Sequence, residues 1–264
     1  MKSRTRAVSG LASAVLLGGL LAGCGGAAES STPPVPSTSV GTHLNAPMAA
    51  STMSLPLTDE HGRSTSLAGY GDKVLVIYPA MTACAADCPL DTANIVSAAR
   101  AVDAAGLSKK VAFLSVTIDP ARDTPQRMAA FRKLYAAPGQ LTNWDLLTGR
   151  ERDIAALWKY LGVYFKKVPA EKPAPKDWLT GKPLTYDVQH GDEVFLIDGH
   201  GHERFVISGH ANVPKPGAIP AKLRGFLDEQ GDQHLNHPGF GAWTPDDVLQ
   251  AVSWLTGREV SLHH

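Results

Sequence analysis

Two cysteines four residues apart, Cys84 and Cys88 in the run Thr82-Ala-Cys-Ala-Ala-Asp-Cys-Pro89, are the residues of this chain best suited to do chemistry. The chain has three cysteines, and the third, Cys24, sits near the amino terminus in Leu21-Ala22-Gly23-Cys24. Two sulfurs at the first spacing can form a structural disulfide, act as a redox couple, or chelate one soft metal ion. Cys88-Pro89 opens a helical pattern, so the second sulfur falls at or beside the helix N-cap. Free amides and the positive end of the helix dipole stabilise a thiolate there, and a depressed pKa is expected. Three residues separate the sulfurs, a spacing that gives both of them room to face one ion. Soft thiolates select Cu(I) or Zn, and a third ligand through nitrogen suits copper. Spacing alone leaves all three chemistries open.

The elements that must position these sulfurs are legible. Lys73-Val-Leu-Val-Ile-Tyr78 and Val111-Ala-Phe-Leu-Ser-Val-Thr-Ile118 are continuous apolar runs of strand length, as expected for strands buried on both faces. Pro89 to Ala105 is helical in pattern and ends at Gly106, a C-cap. Thr124-Pro125 opens a second helix to about Tyr135, with threonine as N-cap and proline at the first position. Arg150 to Leu161 reads as a third helix, and Thr244-Pro245 caps a last one through Leu255 to Gly257. Glu193-Val-Phe-Leu-Ile197, a turn at Asp198-Gly199-His200-Gly201, and Glu203 to Ser208 form a hairpin pattern, and Leu55 to Leu67 a shorter one. Strands alternate with helices first and a hairpin comes late. The expected architecture is an α/β sandwich with a central mixed sheet flanked by helices, a thioredoxin-like fold carrying an N-terminal β-hairpin.

The ends read differently. Lys2, Arg4 and Arg6 precede an apolar run from Ala7 to Leu20 that is short for a bilayer span, as in a secretory signal. Leu21-Ala-Gly-Cys24 resembles the lipobox of bacterial lipoproteins, so residues 1–23 are expected to be removed and Cys24 to carry the lipid. Residues 24–51 are rich in Gly, Ala, Ser, Thr and Pro and are expected to be a flexible linker spanning roughly 30 Å. The folded domain is then expected over 52–264, with an exposed insertion near 166–183 and an irregular segment near 211–243. Twenty-five Lys and Arg balance 25 Asp and Glu, so no field favours a nucleic-acid partner. Export places the thiols in an oxidising compartment, where a lone pair oxidises or is protected by metal.

Several runs, in order, resemble the Sco/SenC family of copper proteins of cytochrome c oxidase assembly. Leu57-Thr-Asp-Glu-His-Gly-Arg63 is similar to its opening hairpin, and Cys84-Ala-Ala-Asp-Cys-Pro89 to its thiol loop. Ser115-Val-Thr-Ile-Asp-Pro-Ala-Arg-Asp-Thr-Pro125 resembles a second motif, and Trp144 with Leu147-Thr-Gly149 a third. Val188-Gln-His190 ahead of Val194-Phe-Leu-Ile-Asp198 is similar to the segment that supplies the family's histidine ligand. The resemblance spans roughly residues 52–210. It implies Cys84, Cys88 and His190 as copper ligands, and a partner that is the copper-containing subunit of the oxidase or another copper chaperone. The loop before this late strand carries a proline in thioredoxin-like redox enzymes; Val188 to Glu193 has none, and a histidine facing the thiols could complete an S₂N site. Gln189 stands where many members have Asp, Met81-Thr-Ala83 replaces an aromatic-Thr-His lead-in, and residues 211–243 match no family pattern.

The resulting expectation is a lipid-tethered copper carrier on the outer side of a bacterial envelope membrane. The competing expectation is a thiol–disulfide oxidoreductase in which Cys84 and Cys88 cycle through a disulfide, acting on cysteines of an envelope protein. Asp119, Arg122 and Asp123 are expected to serve turn and capping roles, and Met81 to pack. His200, His202 and His210 read as exposed turn residues. His234, His237, His263 and His264 read as solvated.

Overall fold

Residues 32–137 and 139–262 are described by a computed structural model of the chain. The expected signal segment and Cys24 lie outside the described residues, as do His263 and His264. The chain enters through β1 (Gly41–Pro47), α1 (Ala50–Met53) and the hairpin β2 (Leu57–Asp59) and β3 (Ser64–Thr65). Asp59 shapes that hairpin, its Oδ1 accepting the amides of His61 (2.9 Å) and Arg63 (2.8 Å). Next come β4 (Val74–Ala80), α2 (Cys88–Ala104), β5 (Val111–Thr117), α3 (Pro125–Tyr135), β6 (Trp144–Thr148) and α4 (Glu151–Leu161). The second half adds β7 (Phe165–Pro169), β8 (Tyr186–His190), β9 (Val194–Ile197), β10 (His202–Ile207), α5 (Ala221–Arg224), α6 (Glu229–Asn236) and α7 (Pro245–Thr256).

The main sheet runs β1-β10-β9-β4-β5-β6-β2-β3, with β4, β5 and β6 mutually parallel and the remaining pairings antiparallel. Every residue of β4 and β5 is buried, the reason both read as unbroken apolar runs. Val74, Val76 and Tyr78 of β4 face one core, shared with α2, α3 and α7. Leu75 and Ile77 face the other, against Leu157 and Trp158 of α4. This is the expected thioredoxin-like sandwich of mixed sheet and helices.

Three boundaries differ from expectation. The linker does not run to Ser51, because Gly41–Pro47 is an edge strand paired with β10, Gly41 opposite Ile207. Its backbone ladder supplies stability that a charge-poor, aperiodic composition does not advertise. His43 also packs between Phe205 and Trp254, with ring centroids 4.9 and 5.6 Å away. A Cβ on Gly41 would meet the Val206 carbonyl at 2.5 Å, so the close approach of the two strands requires glycine. The insertion near 166–183 is not simply exposed: β7 pairs with β8 as a separate two-stranded sheet, and Trp178 is buried, its indole donating to the Thr82 carbonyl at 2.5 Å. Residues 211–243 pack as well, burying Ile219, Leu223 and Trp243 in the first core. Their apolar residues are too sparse to show a period.

A chain begun at residue 52 lacks β1, and its thermal midpoint should fall by at least about 5 °C relative to one begun at residue 32. Equal midpoints by circular dichroism would show that β1 adds nothing to the folded sheet.

Candidate metal centre

The thiol loop leaves the end of β4 and returns into the first turn of α2. Its stem is Thr82, whose amide and hydroxyl both donate to the Asp123 carboxylate; the amide stands 3.3 Å from each oxygen. Thr117 donates to the same carboxylate at 2.6 Å. The far end is tied through a buried relay. Trp144 Nε1 donates to Ser115 Oγ (2.8 Å), Ser115 to the Tyr78 hydroxyl (2.7 Å), and Tyr78 to Thr92 Oγ1 (3.0 Å). Thr92 then donates to the Cys88 carbonyl at 2.7 Å. The Asp119–Asp123 turn thus does more than cap: Arg122 pairs with Asp119, donates to the Tyr186 carbonyl (2.9 Å), and reaches Met81 Sδ (3.2 Å). Met81 is buried as expected, with its sulfur occupied by that guanidinium.

His190 ends β8, opposite Phe165 of β7. Its Nδ1 lies 2.8 Å from the Gly191 carbonyl and 3.3 Å from Asp192 Oδ1. Both are acceptors, so Nδ1 carries a proton, and Nε2 is the nitrogen left to face the sulfurs. Nε2 stands 3.2 Å from Cys88 Sγ. The two sulfurs and one ring nitrogen all lie within 4.8 Å of one another. Cys84 is 8% exposed, Cys88 1%, and the His190 side chain 6%. Gln189 is exposed, and the carboxylate that orients the imidazole comes instead from Asp192, two residues after the histidine.

The electrostatics reverse one expectation. Cys84, not Cys88, has the depressed thiol, lowered to about 7 by its hydrogen bond with Cys88 against the opposing effect of burial. The first-turn amide of Cys88 donates to Cys84 Sγ at 3.4 Å. Burial pushes the Cys88 thiol up, and the neighbouring Cys84 sulfur pushes it further. Burial opposes charge on His190, yet the nearby Cys84 sulfur and the Asp192 carboxylate outweigh it, raising the imidazole to about 9. Burial likewise lifts Asp192 to about 6, partly offset by His190. Burial also raises Asp91, one turn into α2.

Sequence reading missed two features around the loop. Asp87 precedes Cys88 and caps no helix amide; its Oδ1 lies 2.6 Å from His234 Nδ1 and its Oδ2 2.8 Å from Gln230 Nε2. His234, expected to be solvated, also stacks on His210 with ring centroids 4.1 Å apart. Nothing in local spacing links residue 87 to residue 234.

Alkylation by iodoacetamide should therefore be carried by Cys84, with a rate that rises with pH through a midpoint near 7 as the thiolate forms. Cys84→Ser should slow the reaction at pH 7 about tenfold or more, while Cys88→Ser, which keeps a hydroxyl at the same place, should retain most of it. The opposite ranking would reverse the assignment.

The geometry can be set beside known proteins. The family model described as SCO1/SenC matches residues 46–227. No curated protein matches the chain. Among solved structures, a SCO1/SenC family lipoprotein from Bacillus anthracis str. Ames is 26% identical, over 69% of this chain and 96% of that one, with a TM-score of 0.51. ScoI from Bradyrhizobium japonicum, solved with copper bound, is 24% identical over 70% and 99%, with a TM-score of 0.47. BsSco, described as a member of the Sco family of cytochrome c oxidase assembly proteins, is 21% identical over 66% and 89%, with a TM-score of 0.47. With the family model spanning more than half of its length, and with the thiol loop and the histidine strand inside the matched residues, the chain belongs to the SCO1/SenC family.

Proposed function

We propose that this protein carries copper, holding one ion between Cys84, Cys88 and His190. It passes that ion towards the copper-containing subunit of a respiratory cytochrome oxidase, or to another copper chaperone. The observation that carries this reading is the buried convergence of two thiol sulfurs and one imidazole nitrogen within 4.8 Å. Two soft sulfurs with one nitrogen suit copper better than hard cations. Gly191 and Asp192 hold the Nδ1 proton, which aims Nε2 at the ion. Cys84 yields its proton readily, and Cys88 gives up its own only against a nearby positive charge.

The amino-terminal pattern supports a tether. Leu21-Ala-Gly-Cys24 fits lipid attachment at Cys24 after removal of residues 1–23, with the domain on the extracytoplasmic side of a bacterial membrane. The Bacillus anthracis relative is itself described as a lipoprotein. Among the described residues no helix is long and apolar enough to cross a membrane. Ahead of β1, Pro33 and Pro36 are buried, and the Pro36 carbonyl lies 2.8 Å from His43 Nε2, which shortens the expected linker at its carboxyl end. A tether suits a carrier that meets a membrane-embedded recipient.

A second reading, a thiol–disulfide oxidoreductase acting on an envelope protein, is favoured by one observation: the Cys84 thiol is lowered to about 7. In it Cys84 attacks the partner's disulfide and Cys88 resolves the mixed disulfide. Cys88→Ser should then accumulate a covalent complex on non-reducing gels, and a variant that traps nothing in cells would retire the idea.

The copper reading is tested on the reduced protein by competition with a Cu(I) chelator and by absorption spectroscopy with Cu(II). Wild type should bind one copper per chain. His190→Ala should weaken binding about 100-fold and Asp192→Asn about tenfold, both with unchanged circular dichroism. Unaltered affinity in His190→Ala would disprove the ligand assignment.

A further inference from the structure

The three residues between the cysteines are all closely approached by one short segment that lies beyond residue 227, where the family match ends. The Ala85 carbonyl accepts the Asp228 amide at 2.9 Å. Gly231 sits so close to the loop that a Cβ would come within 2.8 Å of both the Ala85 and Ala86 carbonyls. Asp87 is gripped on both oxygens, by Gln230 Nε2 at 2.8 Å and His234 Nδ1 at 2.6 Å. His234 is braced in turn by its stack on His210, whose Nε2 meets the Pro238 carbonyl. α6 has eight residues, too few to be stable alone, so its order depends on this docking. The cluster is not a second metal site: among the described residues, only Cys84, Cys88 and His190 bring three ligand atoms within 4.8 Å of one another.

We propose that α6 and its N-cap clamp the Cys84–Cys88 loop in the open dithiol geometry that receives the ion, with Gly231 and His234 as positioning residues. Both thiols stand free. A disulfide needs its sulfurs about 2.05 Å apart, closer than this unbonded pair, and any backbone shift that closing demands falls on the residues between the cysteines. Of these, Ala85 and Asp87 are hydrogen-bonded to α6 or its N-cap, and Ala86 is closely packed by Gly231. The clamp thus favours the dithiol over the disulfide and keeps the pair ready for metal. This inference rests on the copper reading for its purpose, but the thiol equilibrium reports on the clamp by itself.

The test equilibrates the protein with graded mixtures of dithiothreitol and its cyclic disulfide, beside Cu(I) competition on the same samples. In the exchange the two protein S–H groups are oxidised to one S–S bond. The reagent's S–S bond is reduced to two thiols, so two electrons and two protons pass to the reagent. His234→Ala and Gly231→Ala should each move the midpoint about 30 mV more negative, a tenfold shift towards disulfide. Each should also weaken Cu(I) binding about tenfold at unchanged fold content by circular dichroism. His234→Asn places an amide N–H where Nδ1–H stood, and should restore both. A midpoint for His234→Ala within twofold of wild type, or His234→Asn as impaired as His234→Ala, would overturn the clamp. Wild-type protein that binds no copper while the midpoints still shift would sink the copper reading and uphold the clamp.

Discussion

A single buried carboxylate carries the site. Asp123 is fully inaccessible, and burial alone would drive it towards its neutral form. Hydrogen bonds from Thr82 and Thr117 hold it in place, and Arg127 lies 3.8 Å away. Thr82 is the stem of the thiol loop, so the loop's position is fixed from inside the core. One residue earlier, Arg122 reaches across to the Tyr186 carbonyl, and the Tyr186 hydroxyl donates to Asp119 at 2.9 Å. One five-residue turn therefore fastens the base of the thiol loop and the base of the histidine strand to each other. Cys88 and His190 are 102 residues apart in the chain and meet because both are anchored to it.

The sulfurs are made unequal chiefly by the hydrogen bond between them, which favours charge on Cys84, and by burial, which opposes it on Cys88; the Cys88 amide adds a smaller contribution. A helix start offers free amides, but they point along the axis towards the residue one turn earlier. Cys88 cannot accept from its own amide, and Cys84 can. The same geometry leaves Cys88 desolvated and facing the imidazole. Expecting the lowered thiol at Cys88 counted the helix-start amides alone and left out the sulfur–sulfur hydrogen bond and the cost of burial, which decide the order.

Much of the architecture was legible because its signals are local. Continuous apolar runs announced β4 and β5, Thr124-Pro125 announced α3, and the late hairpin announced β9 and β10. Elements stabilised from outside were not legible. β1 draws its stability from the β10 ladder and from Phe205 and Trp254, and Trp178 is buried through a contact with Thr82. Asp192 lies within two residues of the histidine, and the absence of an acid at position 189 drew attention away from it. His234 was misread because its partner, Asp87, is 147 residues away.

The amino-acid sequence by itself determined the thiol pair, the central strands and the capped helices around them, because apolar runs and capping residues are properties of short stretches; the histidine and the family came from the resemblance of longer runs. Tertiary structure alone decided which sulfur ionises first, which carboxylate orients the imidazole, and that an eight-residue helix covers the thiol loop. Those outcomes depend on burial and on the direction of single hydrogen bonds between distant segments. They exist only once the chain has closed on itself.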